Sequence, residues 1–208
     1  MPIDRGRLAR ASVALAPRLL GAVLVSDLDG VQVAVRLTEV EAYEGLDDPA
    51  SHAYRGSTRR TAVMFGPPGL LYCYFTSGMH WCANIVCGPD GRASAVLLRA
   101  GEIVRGVDAA FARRPAARVE RDLARGPARL ASALGLDAAT NGVDLCDSAS
   151  PVRLESLPAR QKPGVRAGPR VGISAAVERP WRFWLDGENT VSTFKPGRRT
   201  PTAPDRQT

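Results

Sequence analysis

The residues with the most chemical reach lie in TEVEAYEGLDDPASHAY, residues 38–54. Counting in twos along VQVAVRLTEVEAY puts Val31, Val33, Val35, Leu37, Glu39, Glu41 and Tyr43 on one strand face. Two carboxylates at the edge of an apolar layer need a partner, water or a task, because an unpaired buried charge is expensive. The chain has two histidines, His52 just past that acidic strand end and His80 in a later run. Tyr72 and Tyr74 share one face of LLYCYFT, while Tyr43, Tyr54 and Trp81 lie in the same segments. This set has two readings. Aromatics alternating along a strand often fill a core, and a Glu–Arg pair is often an ordinary buried salt bridge. A carboxylate among aromatic faces and a histidine, in an arginine-rich chain, also makes a pocket for a planar base.

Turn and periodicity signals define the elements that must hold these groups. Ser12 is placed to cap a helix over 13–20, with Leu15, Leu19 and Leu20 inward. AVLVSD (22–27) and residues 31–43 flank Asp29-Gly30, a hairpin signal because that dipeptide tolerates positive φ. Residues 44–69 are rich in Gly, Pro, Ser, Asp and Arg and read as a long loop, a kind that is usually functional or disordered. Runs 70–76 and 79–87 meet at Ser77-Gly78 in a second hairpin, and 94–100 adds a strand to that meander. Ile103, Val107, Ala110 and Phe111 have helical spacing, which predicts a helix over 101–114. Another helix opens at Gly126-Pro127 and closes at Gly135. Residues 147–170 read as irregular, and 170–174 and 182–186 as late strands. The expected fold is mixed α/β (α+β): one domain over 1–194, a curved antiparallel β-sheet with packed helices, then a disordered tail over 195–208.

At 208 residues the chain suits one domain with a proper core. Its formal charge of +7 comes almost wholly from arginine, since only Lys162 and Lys195 are lysines. That balance suits a polyanionic partner, or reflects a GC-rich genome. Cys73, Cys82, Cys87 and Cys146 show no C-x-x-C pair and no metal-like spacing with histidine, so they read as free thiols of a reducing compartment, with no metal site. The apolar stretch near the N-terminus is broken by Pro17, Arg18 and Gly21, too short for a membrane span and without a signal-peptide pattern. The expectation is a cytoplasmic monomer.

Three motifs then carry a specific likeness. TEVEAYEGLDDPASHAYRG, MFGPPGLLYCYFTSGMHWCANIVCG and AVLLRAGEI, in that order and spacing, closely resemble the alkyladenine (3-methyladenine) DNA glycosylase family. The likeness extends more loosely over GPARLASALGL and the later RVGIS and RPWRFWL, covering most of residues 12–190. The resemblance implies a base-excision repair enzyme, nucleoid-associated, without metal or cofactor, acting on double-stranded DNA that contains damaged purines. Such an enzyme flips out an alkylated or deaminated purine (3-methyladenine, 7-methylguanine, hypoxanthine, ethenoadenine class) and hydrolyses its N-glycosidic bond. By motif position Glu41 is the general base that activates water against C1′, and Arg99 helps hold that water and the glutamate. Glu39 does not match the base position and is expected to have a structural or supporting role.

The same resemblance makes Tyr43 one wall for the flipped base, with His52 and Tyr74 on the other side, and the His52 backbone facing the purine 6-position. Asn84 matches the asparagine that crowds the exocyclic amine of guanine, which is rejection by clash. One position departs from the family pattern. Its hairpin tip often carries a bulky aromatic wedge, and here that position is Ser77. Met79 or His80 then stands in as the wedge, while Arg55, Arg59, Arg60 and the Gly126-Pro127 helix start are expected to meet phosphates. Two rival readings remain: a bifunctional glycosylase/lyase using the Pro2 amine, and a non-catalytic damaged-DNA-binding module of the same fold.

Overall fold

Local signals along the chain resolve into three helices and a curled antiparallel sheet in the computed structural model, which describes residues 3–76, 78–156 and 164–197. Pro2, Ser77, Lys162 and the tail beyond Gly197 lie outside the described residues. Helix α1 (Ser12–Leu19) turns Ser12, Leu15, Ala16 and Leu19 inward, the i, i+3, i+4, i+7 pattern of a helix with one buried face. Ser12 is not its cap. Ala11 holds the N-cap position without a side-chain bond, and the Ser12 hydroxyl donates to Glu44 Oε1 at 2.7 Å. Strands β1 (Val23–Leu28) and β2 (Val31–Tyr43) form a hairpin in which Asp29 and Gly30 take φ of 59° and 71°, as the Asp-Gly signal requires.

Strands β3 (Leu71–Thr76) and β4 (His80–Val86) make the second hairpin, and β5 (Ala95–Arg105) runs antiparallel beside β4. The helix expected over 101–114 is therefore half strand. β5 continues to Arg105, and α2 (Val107–Arg113) begins only after Gly106. Residues 101–105 find ladder partners on β2, where a Cβ on Gly101 would lie 2.5 Å from the Arg36 carbonyl oxygen. Only glycine permits so close an approach. Helix α3 (Pro127–Leu134) opens behind Gly126 and stops at Gly135, whose φ is 74°.

The stretch 147–170 is less irregular than its composition implies. It holds β6 (Val152–Ser156) and β7 (Val165–Gly168), while β8 (Arg182–Leu185) matches a late-strand candidate. Residues 170–174 form no strand and instead run along the site described below. Pairing with β1 and β8 recruits β6 and β7, a tertiary cause invisible in local pattern.

The sheet order is β3-β4-β5-β2-β1-β6, with β8 joining β2 beyond the end of β1 and β7 outside β8. Helix α3 packs on β4 and β5, and α1 on β2. The single apolar face expected along β2 is interrupted. Register shifts fall between Leu37 and Val40, so Val33, Val35 and Leu37, then Val40 and Ala42, enter the main core. The bulge turns Glu39, Glu41 and Tyr43 to the opposite side, out of the apolar layer.

Cys73, Cys82 and Cys87 are buried and unpaired, and burial pushes the Cys73 and Cys87 thiols up to about 11 and about 12. Among the described residues, no helix is long and apolar enough to cross a membrane.

Candidate active site

A cavity of about 450 Å³ opens on the sheet face turned away from the main core, within the roughly 300–1,000 Å³ usual for small-molecule sites. Alternation supplies its floor. Residues whose neighbours enter the core point the other way: Glu41 and Tyr43 of β2, Tyr74 of β3, Asn84 of β4 and Arg99 of β5. His52 at the rim and the segment 171–175 complete the walls. The six residues expected at the centre, Glu41, Arg99, Tyr43, His52, Tyr74 and Asn84, thus line one hollow.

Glu41 is fully buried at its base. Its Oε1 accepts the Val171 N–H at 2.7 Å and lies 3.4 Å from Arg99 Nη1, and its Oε2 accepts the Tyr43 hydroxyl at 2.9 Å. Burial pushes its carboxyl above the ordinary range and Glu39 adds to this, while Arg99, the Val171 amide and the Tyr43 hydroxyl pull the other way. A carboxylate so held is a stronger base than one in water.

Arg99 is fixed from behind. Its Nε donates to Glu39 Oε1 at 3.0 Å and its Nη2 to Ser192 Oγ at 3.3 Å. Burial alone would lower its pKa, but Glu41 and Glu39 outweigh that and keep it firmly protonated. Glu39 also accepts Arg182 Nε at 2.6 Å, a contact that ties β8 to β2.

The aromatic walls are anchored by their own contacts. The His52 ring meets Tyr74 edge-on with centroids 4.5 Å apart, and the Tyr72 hydroxyl lies 3.4 Å from His52 Nδ1. Partial desolvation and the Arg60 guanidinium hold His52 below its ordinary pKa, so its ring is neutral at physiological pH. Asn84 donates through Nδ2 to the Tyr72 carbonyl at 3.2 Å, which fixes the direction of its amide.

Five of the residues expected to meet DNA, Met79, His80, Arg55, Arg59 and Arg60, lie outside this hollow. Met79 is 66% exposed at the tip of the β3–β4 hairpin with His80 beside it, while Arg55, Arg59 and Arg60 are exposed on the loop after His52. Arg60 reaches back, its guanidinium 5.5 Å from the Tyr74 ring centroid. Pro127, at the α3 start, lines the cavity, so that helix end faces the rim. Lys195 is exposed. Among the described residues, no group of three or more His, Cys, Asp or Glu is arranged to hold a metal ion.

Sequence reasoning missed three parts of the site. The Val171 N–H is a backbone donor and has no signature in residue types. Ser192 lies beyond the quoted motifs. Asp48 and Arg170, a buried ion pair behind Tyr43, left one signal: charged residues inside the motif stretches DDP and GPRVG.

Comparison with known proteins defines the class. The family described as methylpurine-DNA glycosylase (MPG) matches residues 7–189, and the chain belongs to that family. Among individual relatives, a protein of Streptomyces avermitilis named "Putative 3-methyladenine DNA glycosylase" is 52% identical over 196 residues, spanning 93% of this chain and 92% of its own. Proteins with the same name from Frankia casuarinae and Nocardia farcinica are 54% identical over 200 residues and 52% identical over 198 residues. They span 91% and 93% of this chain, and 92% and 90% of their own lengths.

Proposed function

We propose that this chain is a monofunctional DNA repair glycosylase that acts as a monomer on duplex DNA in the cytoplasm, at the nucleoid. Its substrates are alkylated or deaminated purines of the 3-methyladenine, 7-methylguanine, hypoxanthine and ethenoadenine class, and it works without a cofactor. Residues 1–194 act as the catalytic domain. The observation that carries this reading is a buried carboxylate with a raised pKa, paired with a fixed guanidinium, at the floor of an aromatic-walled hollow.

In the proposed reaction the flipped purine lies between Tyr43 and the His52–Tyr74 pair. Stacking of this kind contributes about 1–3 kcal/mol per base and tolerates many bases. Selectivity therefore comes from ring edges, with the Asn84 amide directed against the exocyclic amine of guanine. As the glycosidic C1′–N bond breaks and the purine leaves with its electron pair, the Glu41 carboxylate offsets positive charge building on the sugar; a water beside Glu41 and Arg99 Nη1 then bonds to C1′ and gives its proton to Glu41. Met79 is the wedge that enters the vacated stack, in place of an aromatic at Ser77.

Excision assays on duplexes carrying methylpurine or hypoxanthine test the reading, with undamaged duplex and Glu41→Gln as controls. Release of the damaged base by the wild type, lost in the variant with binding retained, is the expected result. Binding without release in the wild type would favour a recognition module instead. Borohydride trapping on abasic DNA is expected to give no crosslink; a crosslink would mean an amine nucleophile. Met79→Ala is expected to weaken both duplex affinity and excision, and unchanged values for both would remove Met79 as the wedge.

A further inference from the structure

One buried charged cluster joins three walls of the cavity. Arg170 is fully buried and donates through Nη1 and Nη2 to Asp48 Oδ2 and Oδ1 at 2.5 and 2.8 Å. Its Nη1 also donates to the Ala42 carbonyl at 2.9 Å, at the end of β2. The guanidinium lies 4.6 Å from the Tyr43 ring centroid and 5.2 Å from that of Trp181. Asp48 is equally buried and accepts the Ala50 N–H at 3.2 Å, shaping the loop that leads to His52. The residue after Arg170 is Val171, whose N–H meets Glu41.

Such a pair is a poor device for stability alone. Buried ion pairs often do no better than apolar side chains of the same volume, and Arg170 Nε is buried here with no hydrogen-bond partner. An apolar side chain cannot supply direction. A guanidinium fork fixes the orientation of every group it touches.

We propose that Arg170, clamped by Asp48, is a positioning residue: it backs the Tyr43 ring and holds the Val171 amide against Glu41, so one side chain sets both the stacking wall and the general base. This rests on Glu41 acting as the base. The groups facing Glu41 are Arg99 from β5, Glu39 and Tyr43 from β2, Tyr74 from β3 and the Val171 amide. Arg182 of β8 pairs with it in register but turns its guanidinium to Glu39. Of these, the clamp controls the Val171 amide and the Tyr43 hydroxyl, both of which favour the ionised carboxylate. Releasing the clamp removes that help, so the Glu41 proton is held more tightly and the acid limb of excision moves to higher pH.

The test pairs single-turnover excision across acid to neutral pH with NMR titration of the Glu41 carboxyl, in wild type, Arg170→Lys and Asp48→Asn. Misplacement is expected to slow excision at neutral pH by roughly 100-fold. The acid limb and the carboxyl midpoint are expected to rise together by about one unit. A merely structural pair would lower Tm and leave limb and midpoint where they were. Folded variants with unmoved limb and midpoint overturn the proposal. A shifted midpoint in a protein whose wild type excises nothing would instead sink the glycosylase reading and leave the clamp standing. If Arg170→Lys fails to fold, Asp48→Asn, which keeps shape and volume, decides by the same two readouts.

Discussion

Glu39 and Glu41 sit two positions apart on one strand, both fully buried and both touching Arg99, yet their surroundings differ in kind. The interior around Glu39 is saturated. Its oxygens accept from Arg99, from Arg182, from the Ser192 hydroxyl at 2.9 Å and from the Ser192 amide at 2.6 Å. Around Glu41 there is one amide, one hydroxyl and a share of one guanidinium, and the remainder of the carboxylate faces a hollow. Burial alone therefore does not make a carboxylate reactive. The number of donors around it does, because each one lowers its appetite for a proton and fills a lone pair.

Neutralising each acid breaks the comparison in opposite ways. Glu41→Gln is expected to slow excision by roughly 10²–10⁴-fold, the usual contribution of a general base, with duplex binding retained and no loss of Tm. Undiminished single-turnover excision would take that role from Glu41. Glu39→Gln acts on the fold instead. It leaves Arg99 and Arg182 buried against a neutral amide, and breaking a buried pair in this way costs about 3–5 kcal/mol. Urea unfolding reads this directly, and a variant as stable as wild type would mean the four contacts carry little.

A pH experiment sharpens the contrast. The folded-state pKa of Glu41 is raised above its ordinary 4.5, so between those two values the native state keeps a proton that the unfolded chain has lost. Stability contributed by this group is thus present at low pH and lost as pH rises through that window. Glu41→Gln is expected to flatten that part of the Tm-against-pH curve; an unchanged slope would contradict the raised value. The smallest effect belongs to Ser192→Ala, which removes one hydroxyl donor from the saturated acid but keeps the backbone one. It should cost about 1 kcal/mol of stability and leave excision nearly intact.

Much of the site was legible because its side chains alternate along strands. Tyr72 and Tyr74, the VEAY run and the LLRA run each put their polar members on one face, and the sheet stacks those faces. The β2 bulge was not legible. It depends on pairing with β5, and it moves the acids away from the very valines with which period-two counting groups them. The spacing of Ile103, Val107, Ala110 and Phe111 fits a helix equally well, and partners on β2 decide the matter for 101–105. β6 and β7 hold because neighbours exist for them. The Val171 amide and the Asp48–Arg170 pair belong to the same class: their meaning comes from what the fold brings beside them.

Strand β2 is hemmed by β5 along one edge and by β1 and then β8 along the other, so the stretch that carries Glu41 has little room to yield. Under the proposed function, a floor paired on both edges hands the deformation to the nucleic acid. In the reaction proposed above, the nucleotides that arrive most readily are then those whose stacking is already loosened, so that damage announces itself mechanically before any atom of the base is read.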